Sequence, residues 1–198
     1  MQTVSIELFS INELSEDAKK KAIEKERTHC DVDLSCTVEY IEEILTCLGF
    51  QSPKISYSGF SSQGDGLSFT SDNWQYKKGM LDKLKECTRD INILNVAKQL
   101  QVMAKNTGYK LQFSVNRTSH FYSHENTVQI DNNPYSDFSL SDDQDEILTA
   151  LKNCLCRVFY RMLESDYDYQ LSDEYIIENL QANDFLFLES GKVWSITQ

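Results

Sequence analysis

Helix-like and strand-like spacings of apolar residues follow one another along the chain, starting at its N-terminus. Apolar and polar positions alternate in TVSIELFS, at residues 3–10, as they do in a strand. Next comes NELSEDAKKKAIEKER, in which Ser15 is placed to cap a helix whose first turn is acidic, as the helix dipole favours. Because the apolar stripe of this segment is thin, we expect a helix on the surface.

A core helix and two hairpins are predicted in the next part of the chain. Apolar side chains share one helical face over about residues 37–48, and Gly49 follows as a residue suited to a helix C-terminus. Strand-like patterns occur in PKISYSGF and GLSFTS, and again in YKLQFSVNR and NTVQID. Each pair flanks a polar loop and therefore predicts an antiparallel hairpin. Two further helices are expected between residues 76 and 106.

The strongest helical pattern lies in LSDDQDEILTALKNCLCRVFYRMLESDYDY. Ser141 and Gln144 have the spacing of a capping box, and a continuous apolar stripe follows them, so we predict one long core helix near residues 141–165. A short helix is expected from Ser172, and a closing hairpin at Ser190 and Gly191. This mixed order predicts an α+β fold, a single domain over residues 1–198 with a mostly antiparallel sheet packed with several helices.

Composition and length are those of a globular protein. The chain has 198 residues, of which 40% are apolar, enough for one well-buried core. The sequence contains no apolar run of membrane-spanning length, and its start lacks the pattern of a signal peptide. We therefore predict a cytoplasmic protein without membrane contact. Its six cysteines lack the spacing of a zinc ribbon and predict free thiols, and we expect neither metal nor cofactor.

Charge is distributed unevenly along the chain, whose formal net charge is −12. Residues 131–198 contain fourteen Asp and Glu against four Lys and Arg, whereas residues 1–130 contain seventeen against fifteen. This acidic C-terminal third would repel nucleic-acid phosphates, so we expect no direct binding of nucleic acid. It could attract a basic protein surface, such as that of a nucleic-acid-binding enzyme; the alternative is a solvated face that keeps the protein soluble.

The glycine-rich stretch SGFSSQGDGLSF, at residues 58–69, could be either a site or a turn. It lacks the lysine of a phosphate-binding loop, and it leads into a strand rather than the helix of a dinucleotide-binding motif. An EF-hand needs several oxygen ligands, whereas Asp65 stands alone. Gly64, Asp65 and Gly66 tolerate positive φ and favour a hairpin turn.

His120 and His124 lie four residues apart in SHFYSHEN and suggest a second kind of site. On an extended strand this spacing would separate them by roughly 13 Å, so binding one metal would require a curled loop. Asp65 or Glu125 could add a ligand only if the two hairpins meet. The alternative hypothesis is therefore a metal- or nucleotide-dependent enzyme built from the Ser61–Gly66 loop and the histidine loop. Its pocket residues would be Gln63, Gly64, Asp65, Gly66, His120 and His124.

Tyrosines alternate with carboxylates in ESDYDYQLSDEYIIENLQANDFLF. Such residues can anchor a basic partner, because the rings supply contact area and the acids pair with Lys or Arg. The alternative is helix-packing tyrosines beside a solvated face. The residues that we expect to contact a partner are Asp142, Asp143, Asp145, Glu146, Asp166, Tyr167, Asp168, Tyr169, Asp173 and Glu174.

Four segments together resemble a known family of small acidic proteins encoded by bacteriophages and prophages. They are NELSEDAKKKAIEKER, SGFSSQGDGLSF ahead of YKKG, SHFYSHENTVQID, and the late acidic segment that ends in LESGKV. Members often carry the label "antitoxin of a toxin-antitoxin stability system". The resemblance implies a viral accessory protein of the bacterial cytoplasm that acts by stoichiometric binding. Its target would be a toxin or a host defence nuclease, which would make it an antitoxin, an anti-CRISPR or an anti-restriction protein.

Overall fold

The computed structural model describes residues 5–119, 121–132 and 138–194. These residues form an α+β fold, which confirms the predicted class. The helices are α1 (Glu16–Arg27), α2 (Ser35–Cys47), α3 (Met80–Cys87), α4 (Ile91–Asn106), α5 (Asp142–Gln170) and α6 (Asp173–Ala182). The strands are β1 (Phe50–Gln51), β2 (Lys54–Ser58), β3 (Gly66–Gln75), β4 (Gln112–Arg117) and β5 (Val128–Asn132), and a 3₁₀ turn spans Glu125–Thr127.

All strand pairs of the sheet are antiparallel. The order is β1-β3-β4-β5, and β2 pairs with the first half of β3. In the first hairpin Ser58 lies opposite Gly66, and in the second Val115 lies opposite Ile130. Both predicted hairpins are therefore confirmed, and the glycine-rich stretch connects β2 to β3.

Contacts between Cα atoms divide the chain into two compact units. Unit 1 comprises Met1–Asp33 and Ser165–Gln198, and unit 2 comprises Leu34–Glu164. The sequence predicted one domain over residues 1–198, because its length is sufficient for one well-buried core. Each unit has an apolar core of its own.

Part of the core of unit 2 lies between the sheet and the two helices α4 and α5. Apolar side chains of the sheet, of α4 and of α5 surround one small space of about 10 Å³. Trp74 stacks on Phe113 with ring centroids 5.1 Å apart, and its indole nitrogen donates a hydrogen bond to the carbonyl oxygen of Leu48 at 2.7 Å. The long helix α5 thus occupies the central position that its apolar stripe predicted, with Leu148, Leu155 and Phe159 buried.

The core of unit 1 is built mainly by α1 and α6. Ser15 caps α1 through its side chain, as predicted, and Ser172, the predicted start of α6, caps that helix in the same way. Ala18 and Ala22 of α1 belong to the same buried cluster as Ile176 of α6. Small side chains at these positions explain why the apolar stripe of α1 looks thin in the sequence.

The predicted opening strand is wrong for the part of TVSIELFS that the structure describes. Residues 5–8 form no ladder, and Ile6 is 44% exposed. Phe9 alone pairs with Phe187, exchanging backbone hydrogen bonds of 2.9 and 2.8 Å. A strand needs a continuous partner edge, and the described residues offer the segment one partner residue; Thr3 and Val4 lie outside them.

Candidate functional site

The glycine-rich stretch forms a tight turn that its own carboxylate holds closed. Oδ2 of Asp65 accepts hydrogen bonds from the backbone nitrogens of Ser61 and Ser62 at 3.0 and 2.7 Å. Gly64 has a φ of 105°, which favours glycine because a side chain would be strained there. Of the three residues predicted to tolerate positive φ, Gly64 alone adopts it, while Asp65 serves the turn through its carboxylate. Gln63 is exposed at the tip.

This turn lies directly against the histidine-containing segment. The Ser58 hydroxyl donates a hydrogen bond to the carbonyl oxygen of Ser123 at 2.9 Å. A Cβ added to Gly66 would lie 2.9 Å from Cδ2 of His124, closer than real Cβ contacts allow. The two hairpins therefore meet in space, and glycine at position 66 is needed for that close approach.

His124 itself is held by its neighbours. Its Nδ1 accepts a hydrogen bond from the backbone nitrogen of Asn126 at 3.2 Å, and its Nε2 lies 3.2 Å from Oε2 of Glu125. His120 lies outside the described residues. Among those that are described, no three His, Cys, Asp or Glu side chains form a group that could hold a metal ion. The enzymatic hypothesis stays a prediction, with its two loops in contact and the Asp65 and His124 side chains both engaged within the chain.

Helix α5 fixes the histidine segment and the turn through polar side chains. Lys152 is 6% exposed, and its ammonium group donates to the carbonyl oxygens of Glu125 and Val128 at 2.7 and 3.0 Å. Burial lowers the pKa of Lys152. Nε of Arg157 lies 3.0 Å from a carboxylate oxygen of Glu125, and the Tyr160 hydroxyl donates to the carbonyl oxygen of Gly59 at 3.1 Å. Sequence reasoning missed this anchoring, although a lysine inside the apolar stripe of α5 was a visible signal.

Aromatic rings line the outside of the same region. Tyr57, Phe60 and Tyr160 form a continuous stack, with centroid distances of 5.8 and 5.5 Å. Phe121 is 97% exposed, and Tyr122 is also exposed. Because these residues adjoin the turn and the His124 segment, the region offers contact area to a partner as well as polar groups.

The acidic residues expected to contact a partner fall into two groups, and the first is the initial turn of α5 in unit 2. Asp142, Asp143, Asp145 and Glu146 are all exposed. None of the four carboxylates forms an ion pair with a residue that the structure describes. The predicted capping box lies in the same turn: the backbone nitrogen of Ser141 donates to Oε1 of Gln144 at 3.0 Å.

The second acidic group lies in unit 1 and is partly engaged. A carboxylate oxygen of Asp173 pairs with the guanidinium of Arg27, and Asp166 accepts a hydrogen bond from Gln170 at 3.0 Å. Asp168 and Glu174 are exposed. The predicted contact residues therefore divide between the two units, with four in unit 2 and six in unit 1.

The tyrosines of the second group pack within unit 1. The rings of Tyr169 and Tyr175 meet edge to face with centroids 5.3 Å apart. The nearby charge of Glu178 is the main cause that raises the pKa of Tyr169. Tyr167, which lies on α5 with Tyr169, is half-buried. Tyr169 thus combines an exposed ring with the neighbouring carboxylate of Glu178, and its contact with Tyr175 is the helix-packing arrangement given above as the alternative.

Each unit contains a cavity large enough for a ligand. The cavity of unit 1 measures about 500 Å³ and is lined by three acidic and three basic side chains, with Arg27 and Asp173 already paired across it. The cavity of unit 2 measures about 330 Å³ and is lined by Arg157 and Arg161 without any acidic residue. Sequence reasoning identified neither, because each combines residues of different helices.

The fold and the site define an α+β protein in which hydrogen bonds from the long helix α5 hold the glycine turn and the histidine segment. The first turn of this helix is acidic. The chain belongs to the family described as "Domain of unknown function (DUF8835)", whose model matches residues 34–173. That range contains all of unit 2. Neither the curated proteins nor the solved structures gave a match. None of the helices in the described part of the chain has the length and apolar character needed to cross a membrane.

Proposed function

We propose that this protein is a non-catalytic inhibitor or antitoxin-like protein that binds a basic, nucleic-acid-handling protein. The observation that carries the proposal is the first turn of α5, where four exposed carboxylates have no ion-pair partner among the described residues. The resemblance to small acidic phage and prophage proteins supports the setting. The target would be a toxin, a CRISPR effector or a restriction enzyme in the cytoplasm of a bacterial host.

The state of each candidate residue favours the acidic turn over the other regions. Asp65 and His124 are hydrogen-bonded within their own loops, and Asp173 is already paired with Arg27. The carboxylates of the first α5 turn form no ion pair with any described residue, so a partner could bind them without breaking such a pair. This turn is therefore the primary contact region that we propose.

Charge would act mainly on the encounter and its specificity. Exposed carboxylates without internal ion pairs can bind Lys or Arg without the loss of an intramolecular interaction. A surface of one sign also raises the association rate of a partner of the opposite sign. Salt weakens such attraction, since the Debye length falls from about 10 Å at 0.1 M to about 3 Å at 1 M. Binding through this turn should therefore be strongly salt-dependent.

The exposed residues of the second acidic group would supply additional contacts. Asp168 and Glu174 offer charge, and Tyr169 offers an exposed ring beside them. Tyrosine is frequent at binding hot spots because it combines contact area with a polar group. We assign these residues a supporting role.

The test is capture of partners from the lysate of a bacterial host that carries defence systems. The tagged full chain is compared with a variant in which Asp142, Asp143 and Asp145 become Asn and Glu146 becomes Gln. A matched control changes four other exposed acids to their amides and removes the same number of charges. The control residues are Glu16, Asp17, Glu39 and Glu43.

The expected result is recovery of one basic, nucleic-acid-handling protein by the wild type and by the control variant at low salt. High salt should release it, and the α5 variant should lose it while circular dichroism shows that the variant is folded. Equal capture by the α5 variant would refute the proposed contact region. Recovery of no basic partner by the wild type would refute the proposed function.

A further inference from the structure

The cavity of unit 2 lies between α5 and the start of α4. It measures about 330 Å³, which is near the lower end of the range of volumes found for small-molecule sites. Asn92 contributes from α4, and Asn153, Arg157 and Arg161 contribute from α5. The acidic first turn of α5 does not line it, so it is a separate feature of the same helix.

The positive charge of this cavity contrasts with the chain around it. Residues 131–198 contain only four Lys and Arg, and two of these, Arg157 and Arg161, line the cavity. Their spacing of four residues places both guanidinium groups on one face of α5. No acidic side chain belongs to the lining, so this is a local cationic site on an acidic protein. Paired guanidinium groups suit phosphate oxygens, which they bind through parallel hydrogen bonds.

Both arginines have donors left for a ligand. Nε of Arg157 contacts Glu125 at 3.0 Å, which orients the guanidinium, and the side chain remains 62% exposed. The two terminal nitrogens of Arg157 have no partner within the described part of the chain, and Arg161 forms no ion pair with any described residue. An anion could therefore bind without displacing an internal salt bridge.

Asn153 adds a second and independent indication of a ligand. Its Oδ1 is inaccessible to solvent and has no hydrogen-bond donor among the described residues. Native proteins leave few buried acceptors without a donor, because the lost hydration is not repaid. Asn153 also lines the cavity, so a rotation of its amide group would bring this acceptor to an N–H or O–H group of a bound molecule. The lining of the cavity thus suits a ligand that combines an anionic group with a hydrogen-bond donor.

We propose that this cavity binds a small phosphorylated molecule of mononucleotide size. Its phosphate would lie against Arg157 and Arg161, and a donor group on the rest of the molecule would reach Asn153. The volume supports this size, since small-molecule sites in proteins begin at about 300 Å³ and this cavity measures about 330 Å³. A free phosphate would fill only part of that space. The proposal is independent of partner binding by the acidic turn.

The test is isothermal titration of the full chain with AMP, ribose 5-phosphate, inorganic phosphate and adenosine. We expect AMP to bind more tightly than inorganic phosphate, and adenosine to bind far more weakly than AMP. Ribose 5-phosphate reports whether the sugar or the base supplies the donor for Asn153. Arg161→Gln should weaken AMP binding by about tenfold or more, the loss expected for one charge-assisted contact. Asn153→Ala should weaken AMP binding more than phosphate binding.

The matched control is Lys98→Gln, which removes one exposed positive charge of unit 2 that does not line the cavity. It should leave AMP affinity unchanged, and thermal unfolding establishes that each variant is folded. Absence of saturable AMP binding at millimolar concentrations would overturn the proposal. Equal weakening by Arg161→Gln and Lys98→Gln would also overturn it, because the net charge of the protein would then explain the binding without a specific site. Equal affinity for AMP and inorganic phosphate would overturn the proposed ligand size.

Discussion

The first turn of α5 and the middle of the same helix carry opposite charges, and these charges differ in burial and in their hydrogen-bond partners. The acids of the first turn are exposed and unpaired within the described residues, whereas Lys152 is buried and bonded to two carbonyl oxygens. Arg157 and Arg161 lie between these extremes, at the rim of a cavity. The comparison shows that the contribution of a charge follows from its partners and its burial, which a count of charges does not record.

Removing the buried charge should have the largest effect. Lys152→Met keeps most of the apolar stem but leaves the carbonyl oxygens of Glu125 and Val128 without their donor. We expect a loss of about 2–4 kcal/mol in the free energy of unfolding, because each unsatisfied buried acceptor costs about 1–3 kcal/mol. Denaturant unfolding measures it. Lys98→Met, an exposed position on α4, is the control and should change stability by about 0.5 kcal/mol or less. Equal losses would mean that Lys152 does not anchor the segment.

Neutralising the acidic turn should affect stability much less. The amide variant of Asp142, Asp143, Asp145 and Glu146 loses a favourable interaction with the N-terminal helix dipole. It also loses the repulsion between like charges three and four residues apart, which opposes that effect. We expect a shift in the unfolding midpoint less than half of that caused by Lys152→Met, and smaller still in high salt. A loss as large as that of Lys152→Met would make the turn a structural element rather than a free surface.

Chemical modification should distinguish two thiols of α5 by their reaction rates, a difference that involves no change in sequence. Burial is the main cause that raises the pKa of Cys156 to about 12, so about one molecule in ten thousand carries the thiolate at pH 8. Cys154 is half-buried and lines the cavity of unit 2. We expect iodoacetamide to modify Cys154 well before Cys156, as followed by peptide mass spectrometry. Equal rates would show that this part of α5 opens readily.

Local signals in the sequence predicted most of the secondary structure. Ser15, Ser141 and Ser172 begin helices because a cap acts on backbone groups three residues away, within reach of a sequence pattern. The hairpins followed from alternation around polar loops. The opening strand failed because its pairing depends on Phe187, a residue far away along the chain.

The candidate site was predictable only in its parts. The glycine turn, the histidine segment and the acidic turn each carry a visible pattern. Their contacts join residues distant in sequence: 65 positions separate Ser58 from Ser123, and 27 separate Glu125 from Lys152. Hydrogen bonds of this kind depend on where whole elements pack, which spacing within one segment does not encode.

The sequence by itself determined the α+β class, the helix caps, the two hairpins and the acidic surface, because these depend on neighbouring residues and on composition. The tertiary structure alone decided which charges are engaged. It paired Asp173 with Arg27, buried Lys152 under two carbonyl oxygens and left the first turn of α5 unpaired among the described residues. It also created the arginine-lined cavity, because a concave surface exists only after two helices pack side by side.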